Sequence, residues 1–352
     1  MPSNPAIVSA RPRVRVDGSD RPALGEAAAA LSVHLPASGM ASAELRVINW
    51  GPANGGGGGG EPGYPFQDLR LGSRIELLLG ETAESGVFAG DVTAIEERYG
   101  DGAPQLVILA EDALHKLARS RSSRVFENKG LAEVVREIAS DAGLQADVSV
   151  DAGSADWLQH NESHLAFLLR VLGPHDIPLR MQGGRLRARP EEADASPVRI
   201  DAGTNARRIR IIADLNRQPR EVLADGYNLA ADSAASGSSS SLSPAPSGRS
   251  AAATLAELGW DGRSPRPHPF ARSQAEADSL AQGAFRRDAQ RFLHGEIVCT
   301  GTPELGVGRE VELAGVSPRL AGRYRIADCW HHFDNAQGLA TRLRVERPDW
   351  NP

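Results

Sequence analysis

The chain has 352 residues, 41% of them hydrophobic and 24% charged, and a formal net charge of -6 at neutral pH. That length allows two or three cores, and the composition is that of a soluble globular protein rather than a fibrous or disordered one. The acidic balance argues against a nucleic-acid grip, which needs a concentrated basic surface. No apolar run approaches the ~18 residues of a membrane helix.

From Val14 to about residue 118 the pattern is that of strands. Leu31, Val33 and Leu35 alternate with Ser32 and His34, Ala43, Leu45 and Val47 alternate with Glu44 and Arg46, and Ile75, Leu77 and Leu79 keep the same period of two. Val87 to Tyr99 and Gln105 to Ala110 form a hairpin across Gly100-Asp101-Gly102. Short strands separated by turn signals predict a barrel or sandwich. The six glycines Gly55 to Gly60 have no strand leading in and no helix following, so they read as a flexible loop rather than a phosphate cradle.

Leu131, Val134, Val135, Ile138 and Ala142 make the apolar stripe of a helix closed by Gly143. Leu165, Leu168, Leu169 and Leu172 do the same for a second helix, capped by Asn161 or Ser163 and stopped by Gly173-Pro174, where glycine tolerates a left-handed exit. Ile177 to Met181 and Arg185 to Arg189 then form a hairpin across Gln182-Gly183-Gly184. Together these predict a small α/β domain over residues 119–200.

Ile209 and Ile211 open another β region, continued through Glu221 to Asn228. Residues 230–254 are mostly serine and alanine, with Leu242 the one large apolar side chain, and are expected to be a disordered insertion, since they bury too little to offset ordering entropy. Ser273-Gln274-Ala275-Glu276 has capping-box spacing before a helix running to about Phe292. Four strands follow: Gly295 to Thr300, Glu310 to Leu313, Tyr324 to His332 and Thr341 to Val345, the last alternating with Arg342, Arg344 and Glu346.

No residues assemble into a recognisable catalytic, cofactor or metal site. His160 and His164 are four apart, but a helix starting at Asn161 or Ser163 leaves His160 outside it, and the glutamate of His-Asn-Glu-Ser-His is misplaced for a zinc protease. His331 and His332, adjacent on a strand, point to opposite faces. Cys299 and Cys329 read as buried thiols of a reducing compartment. Trp157 and Trp330 read as core or interface aromatics, and Ser163 lacks a nucleophile elbow.

Several short motifs, in order, resemble the phage late control protein D family, the central hubs of contractile tails and injection machines, and the hub part of type VI spike proteins. They are Phe88-x-Gly90 with Asp112-x-Leu114, Phe126-Glu127-Asn128, Gln159-x-Asn161-Glu162-Ser163, Leu165-Ala166-Phe167-Leu168, Gly183-Gly184-x-Leu186, Gly301 to Gly308, and Gly322 to Ile326. The Ser-rich insertion, the glycine run and the short Gly173-Pro174 exit depart from the pattern. The resemblance implies a β-rich α+β protein in which two tube-protein-like β-barrel domains, 1–118 and 201–352, flank the α/β domain. Three chains would then close a pseudo-sixfold ring, seating a threefold object on a sixfold tube. The implied partners are two further copies, the tail tube protein, other baseplate proteins, a tape-measure protein or cargo, and a trimeric spike expected to be a separate protein because no needle follows residue 347. No direct nucleic-acid or membrane binding is implied. The chain is expected to fold in the cytoplasm and end in the particle. Two other readings remain beside this structural, non-enzymatic hub: a tail-borne cell-wall hydrolase, and a module that loads an effector through the Ser-rich loop.

Overall fold

The computed structural model describes residues 11–52, 62–80 and 85–351; the six glycines lie outside the described residues. The period-two segments pair into one large, mainly antiparallel sheet, with Val198–Asp201 joined parallel to Glu310–Ala314 at its side. In hydrogen-bonded order its strands are Ala206–Ala213, Leu293–Thr300, Gly338–Arg347, Gly322–Asp334, Ala28–Leu35, Ser42–Ile48, Gln105–Glu111, Ser85–Arg98, Arg74–Leu79 and Arg13–Val16, with Ser19–Asp20 beyond.

The β regions at the two ends of the chain therefore share a sheet, which modifies the expectation that each barrel keeps to its own strands. Gly322–Asp334 is the shared member. Its first half pairs with Glu310–Ala314, Val311 opposite Tyr324, and its second half with Ala28–Leu35, Val33 opposite His331. An irregularity between Ile326 and Asp328 separates the halves, and such a bulge re-aims a strand where it changes neighbours. Phe333 and Leu339, from the C-terminal hairpin, consequently pack into the first core with Leu31, Leu45, Leu77 and Ile108. A separate core holds Ile297, Tyr324, Ile326, Leu343 and Val345.

The middle segment folds much as its periodicity dictates. Helix Leu131–Asp141 buries Leu131, Val134, Val135 and Ile138, and Gly143 follows it at φ 69°. The Ser163 hydroxyl accepts the Ala166 N–H (3.1 Å) at the start of helix His164–Leu172. Phe167 of that helix stacks on Phe126, centroids 5.5 Å apart. The exit differs from expectation: Gly173 stays right-handed at φ -55°, a short 3-10 turn carries the chain on, and Asp176 takes the left-handed position at φ 56°. Asp176 can hold it because Arg286 Nε donates to its carboxylate (2.7 Å) and Arg286 also reaches its carbonyl. The hairpin Leu179–Gln182 with Arg185–Ala188 turns through Gly183 and Gly184, both at positive φ, as a tight primed turn needs.

The largest correction concerns residues 230–254, which are not a disordered insertion. Ser233–Ser239 pairs along its whole length with Glu221–Asn228, and Ser250 caps a helix over Ala251–Leu258. The small residues are there because helix Gln274–Gln290 lies directly on them. Ala224, Ala235, Ala271, Ala277 and Ala281 form one buried cluster with Leu280. A Cβ on Gly237 would sit 2.3 Å from the Ala277 carbonyl oxygen. Poverty in large side chains here marks a close approach, and the cargo-loading reading loses the tether it relied on. The Gln274 side chain also accepts the Ser236 N–H (3.2 Å) and donates to the Ser236 carbonyl (2.8 Å), doing for that strand what another strand would do.

Helix Gln274–Gln290 is capped by Ser273, whose hydroxyl accepts the Glu276 N–H (3.2 Å), while Glu276 reaches back to the Arg272 N–H (2.8 Å), one residue before the usual capping-box partner. Its other flank meets the middle segment. His175 Nδ1 and the Ser279 hydroxyl are 2.8 Å apart, and the Arg272 guanidinium lies 4.1 Å over the Trp157 ring. Gly283 permits this contact, since a Cβ there would sit 2.4 Å from the His175 carbonyl carbon.

Gly283→Ala should therefore destabilise the protein. Helix propensity favours alanine by about 1 kcal/mol, but overpacking against immobile backbone costs roughly 1–3 kcal/mol or more. Gly86→Ala, on a strand at a non-positive φ with nothing within 4 Å of the added Cβ, should be neutral or stabilising. Urea denaturation of both variants checks the contrast, and equal effects would refute it.

Candidate functional site

Strand alternation sorts the large sheet into a buried face and a polar face. On Gly322–Asp334, Cys329, His331 and Phe333 point inward, so Asp328, Trp330 and His332 point the other way. Trp330 is registered with Arg342 on one side and His34 on the other, and Asp328 with Arg344. These side chains form a continuous ladder. Arg208 and Arg342 both pair with Glu296, Arg342 Nε donating at 2.7 Å. The Arg342 guanidinium lies 5.0 Å over Trp330, and Trp330 stacks parallel on His34 at 4.7 Å. Asp328, buried, ion-pairs with Arg344, stands 3.7 Å from His34 and accepts the Ala37 N–H (3.3 Å).

Burial works against the charge on Glu296, but hydrogen bonds from Arg342 and then Arg208 outweigh it and hold the carboxyl below its ordinary range. A second anchored carboxylate, Glu346, is buried and accepts from Arg291 (3.1 Å) and Arg325 (3.0 Å). The polar face continues into a groove of about 1390 Å³ between the sheet and the segment around Asp261 to Arg266, lined among others by Arg210, Arg217, Arg263 and Asp288. The face thus sets alternating charged side chains around one aromatic pair. Its signal was present in the sequence as the alternation of Arg342, Arg344 and Glu346 and as Trp330; the pairing that assembles them was not.

Of the histidines and cysteines, Cys329 Sγ and His331 Nε2 stand 3.5 Å apart in the core, and among the described residues no further His, Cys, Asp or Glu ligand joins them. His160 lies on strand Ser154–Ser163 and is exposed, whereas His164 begins the helix and contacts Gln159 Oε1 (3.2 Å). His331 is fully buried and His332 half-exposed, on opposite faces. Among the described residues no three His, Cys, Asp or Glu side chains gather as a metal would need. Cys299 and Cys329 are free buried thiols; burial pushes Cys299 up to about 12 and Cys329 higher still, so neither is a nucleophile. His331 serves structure. Its Nε2 donates to the Leu305 carbonyl (3.1 Å) and its Nδ1 accepts the Thr341 hydroxyl (3.1 Å), while that hydroxyl accepts the Thr302 N–H (3.0 Å), pinning the Gly301–Gly308 loop to the sheet. Trp157 is a core aromatic whose Nε1 donates to the Lys129 carbonyl (2.8 Å).

The family model described as the Alg8 N-terminal domain matches residues 67–335, and the chain belongs to that family. No curated protein matches the sequence. Solved structures share the fold over almost the whole chain. The 43 kDa tail protein of prophage MuSo2 from Shewanella oneidensis superposes with a TM-score of 0.69 at 14% identity, over 96% of this chain and 98% of that one. A tail protein from Neisseria meningitidis gives 0.64 at 13% identity, over 97% and 99%. A component of the E. coli type VI secretion system, itself structurally similar to the bacteriophage T4 tail proteins gp27 and gp5, gives 0.58 at 10% identity, over 95% and 74%. At these identities the likeness is one of fold. At the level of fold it bears out the resemblance to phage tail and type VI proteins read from the sequence.

Two consequences follow for stability. Burial holds His175 and His331 neutral, with folded pKa values near 4. The unfolded rings titrate near 6.5, so the unfolded state takes up protons first. The stability contributed by the neutral rings is fully present above about pH 6.5 and is lost as pH falls toward 4, by at most about 3 kcal/mol per ring. Asp112, raised to about 6 by burial, works in the opposite sense but is common to both proteins in a comparison with His331→Gln. Urea midpoints should fall less steeply in that variant than in the parent between pH 6.5 and 4; parallel curves would refute the assignment. Asp328→Ala, which strips a buried carboxylate from Arg344 and Ala37, should cost about 2 kcal/mol. Arg208→Ala, on an exposed pair, should cost under about 1 kcal/mol by the same measurement.

Proposed function

We propose, from the fold that this chain shares with phage tail proteins, that it is the structural baseplate hub of a contractile tail or tail-like injection particle. The observation that carries the reading is the end-to-end likeness to the prophage MuSo2 tail protein, in which nearly all of each chain is matched. In this reading the two β regions, joined through Gly322–Asp334, act as paired tube-like units. Three chains then present six such units to a sixfold tail tube and a threefold end to a spike. The fold likeness to a type VI secretion component supports other tail components as partners. The role is mechanical and non-enzymatic. It ends in a particle, with tube, spike and other baseplate proteins as partners and with no grip on nucleic acid or membrane.

The test is particle reconstruction. Light scattering of the purified chain, alone and with the spike protein of the same particle, should give a trimer in at least one condition, and cryo-electron microscopy of the particle should place three copies between tube and spike. A monomer in both conditions, together with a particle lacking the chain at that position, would overturn the proposal. Release of muropeptides from purified peptidoglycan by the isolated chain would favour the hydrolase instead.

A further inference from the structure

The large sheet ends, on the C-terminal side, at Ala206–Ala213, an eight-residue strand with one neighbour, Leu293–Thr300. The small sheet of the same region protects its edges. Arg263–Ala271 carries Pro265, Pro267 and Pro269, so one side of that strand has no N–H to offer, and Ser233–Ser239 is capped by the Gln274 amide. Ala206–Ala213 has neither device: it contains no proline, and alternate residues of an edge strand direct N–H and C=O outward, open to pairing.

Both sides of this edge open into clefts. Ile209 and Ile211 share one face and, with Leu313, Val316 and Leu320, line a cleft of about 440 Å³. Arg208, Arg210 and Ile212 share the other face, where Arg210 and Ile212 line the large groove; Ile212 is 39% exposed. Among the described residues Arg210 makes no ion pair, whereas Arg208, Arg342 and Arg344 are matched to Glu296 or Asp328. An unmatched arginine beside an open backbone edge and a vacant apolar seam defines what would fit.

We propose that Ala206–Ala213 receives an extended segment of a different protein as an added strand, one whose alternate side chains are acidic, against Arg208 and Arg210, and apolar, toward Ile209, Ile211 and Leu313. A second copy of this chain is disfavoured as the occupant by charge. Two such edges pairing antiparallel bring arginines against arginines; the opposite end of the sheet is the two-residue strand Ser19–Asp20, whose carboxylate is already held by Arg13 and Arg15. Main-chain hydrogen bonds would supply affinity and the alternation would supply specificity.

The probe is a fluorescently labelled peptide of alternating glutamate and valine, as long as the eight-residue edge, titrated into the full chain and read by anisotropy. Saturable binding is expected, weakened about tenfold or more by Arg210→Glu, with a lysine–valine peptide binding that variant better than the parent. N-methylation of alternate peptide amides should abolish binding in one of the two phases, because it removes the donors of one edge. Absence of saturable binding, indifference to the charge swap, or tolerance of both N-methylated forms would overturn the proposal. So would a change of oligomeric state on Arg210→Glu in light scattering, which would give this edge to a second copy.

Discussion

The architecture depends on how closely helix Gln274–Gln290 can approach its neighbours. Glycine and alanine remove side-chain bulk at each contact: Gly237, Ala235 and Ala224 toward the small sheet, Gly283 toward His175. Dispersion falls off within an ångström of optimal contact, so packing at this range leaves little tolerance for added atoms. Polar groups then fix the orientation, with Gln274 on the Ser236 backbone, Arg286 on Asp176 and Arg272 on both Glu276 and Trp157. The helix thereby ties the middle segment to the C-terminal β region through contacts that are specific as well as buried.

A second tie runs through the sheet. Because Gly322–Asp334 serves two sets of neighbours, the first and last β regions cannot separate without breaking a hydrogen-bonded ladder and withdrawing Phe333 and Leu339 from the first core. The polar ladder from Arg208 to Arg344 crosses the same seam, passing from the C-terminal strands through Trp330 to His34 of Ala28–Leu35. A surface that spans the seam is presented as one rigid face. That suits a protein proposed to hold other components in register under mechanical load.

Much of this was legible in the sequence, and the limits have physical causes. The strands of the first region, the two middle helices and the Gly183-Gly184 turn follow from periodicity and turn chemistry, which act within a few residues. The cap, legible as Asn161 or Ser163, falls on Ser163, and Trp157, legible as core or interface, lies in the core. The sharing of Gly322–Asp334 was not, because pairing between residues about 300 apart, such as Leu31 and Phe333, leaves no local mark. The Ser/Ala segment misled because low hydrophobic content was read as low burial, although Ala235 is 2% exposed and Gly237 is pressed against a helix. The ladder's members were visible one by one, as Trp330, Arg342 and Arg344, but their function as a face depends on cross-strand register.

The account's central claim is that the shared strand and the wedged helix make one cooperative body of the first and last β regions. Native-state hydrogen exchange tests it most directly. Amides of Ala28–Leu35, Gly322–Asp334 and Gly338–Arg347 should open with a common free energy that responds together to denaturant. Exchange of the N-terminal strands at a markedly lower free energy, with the C-terminal strands still protected, would contradict it.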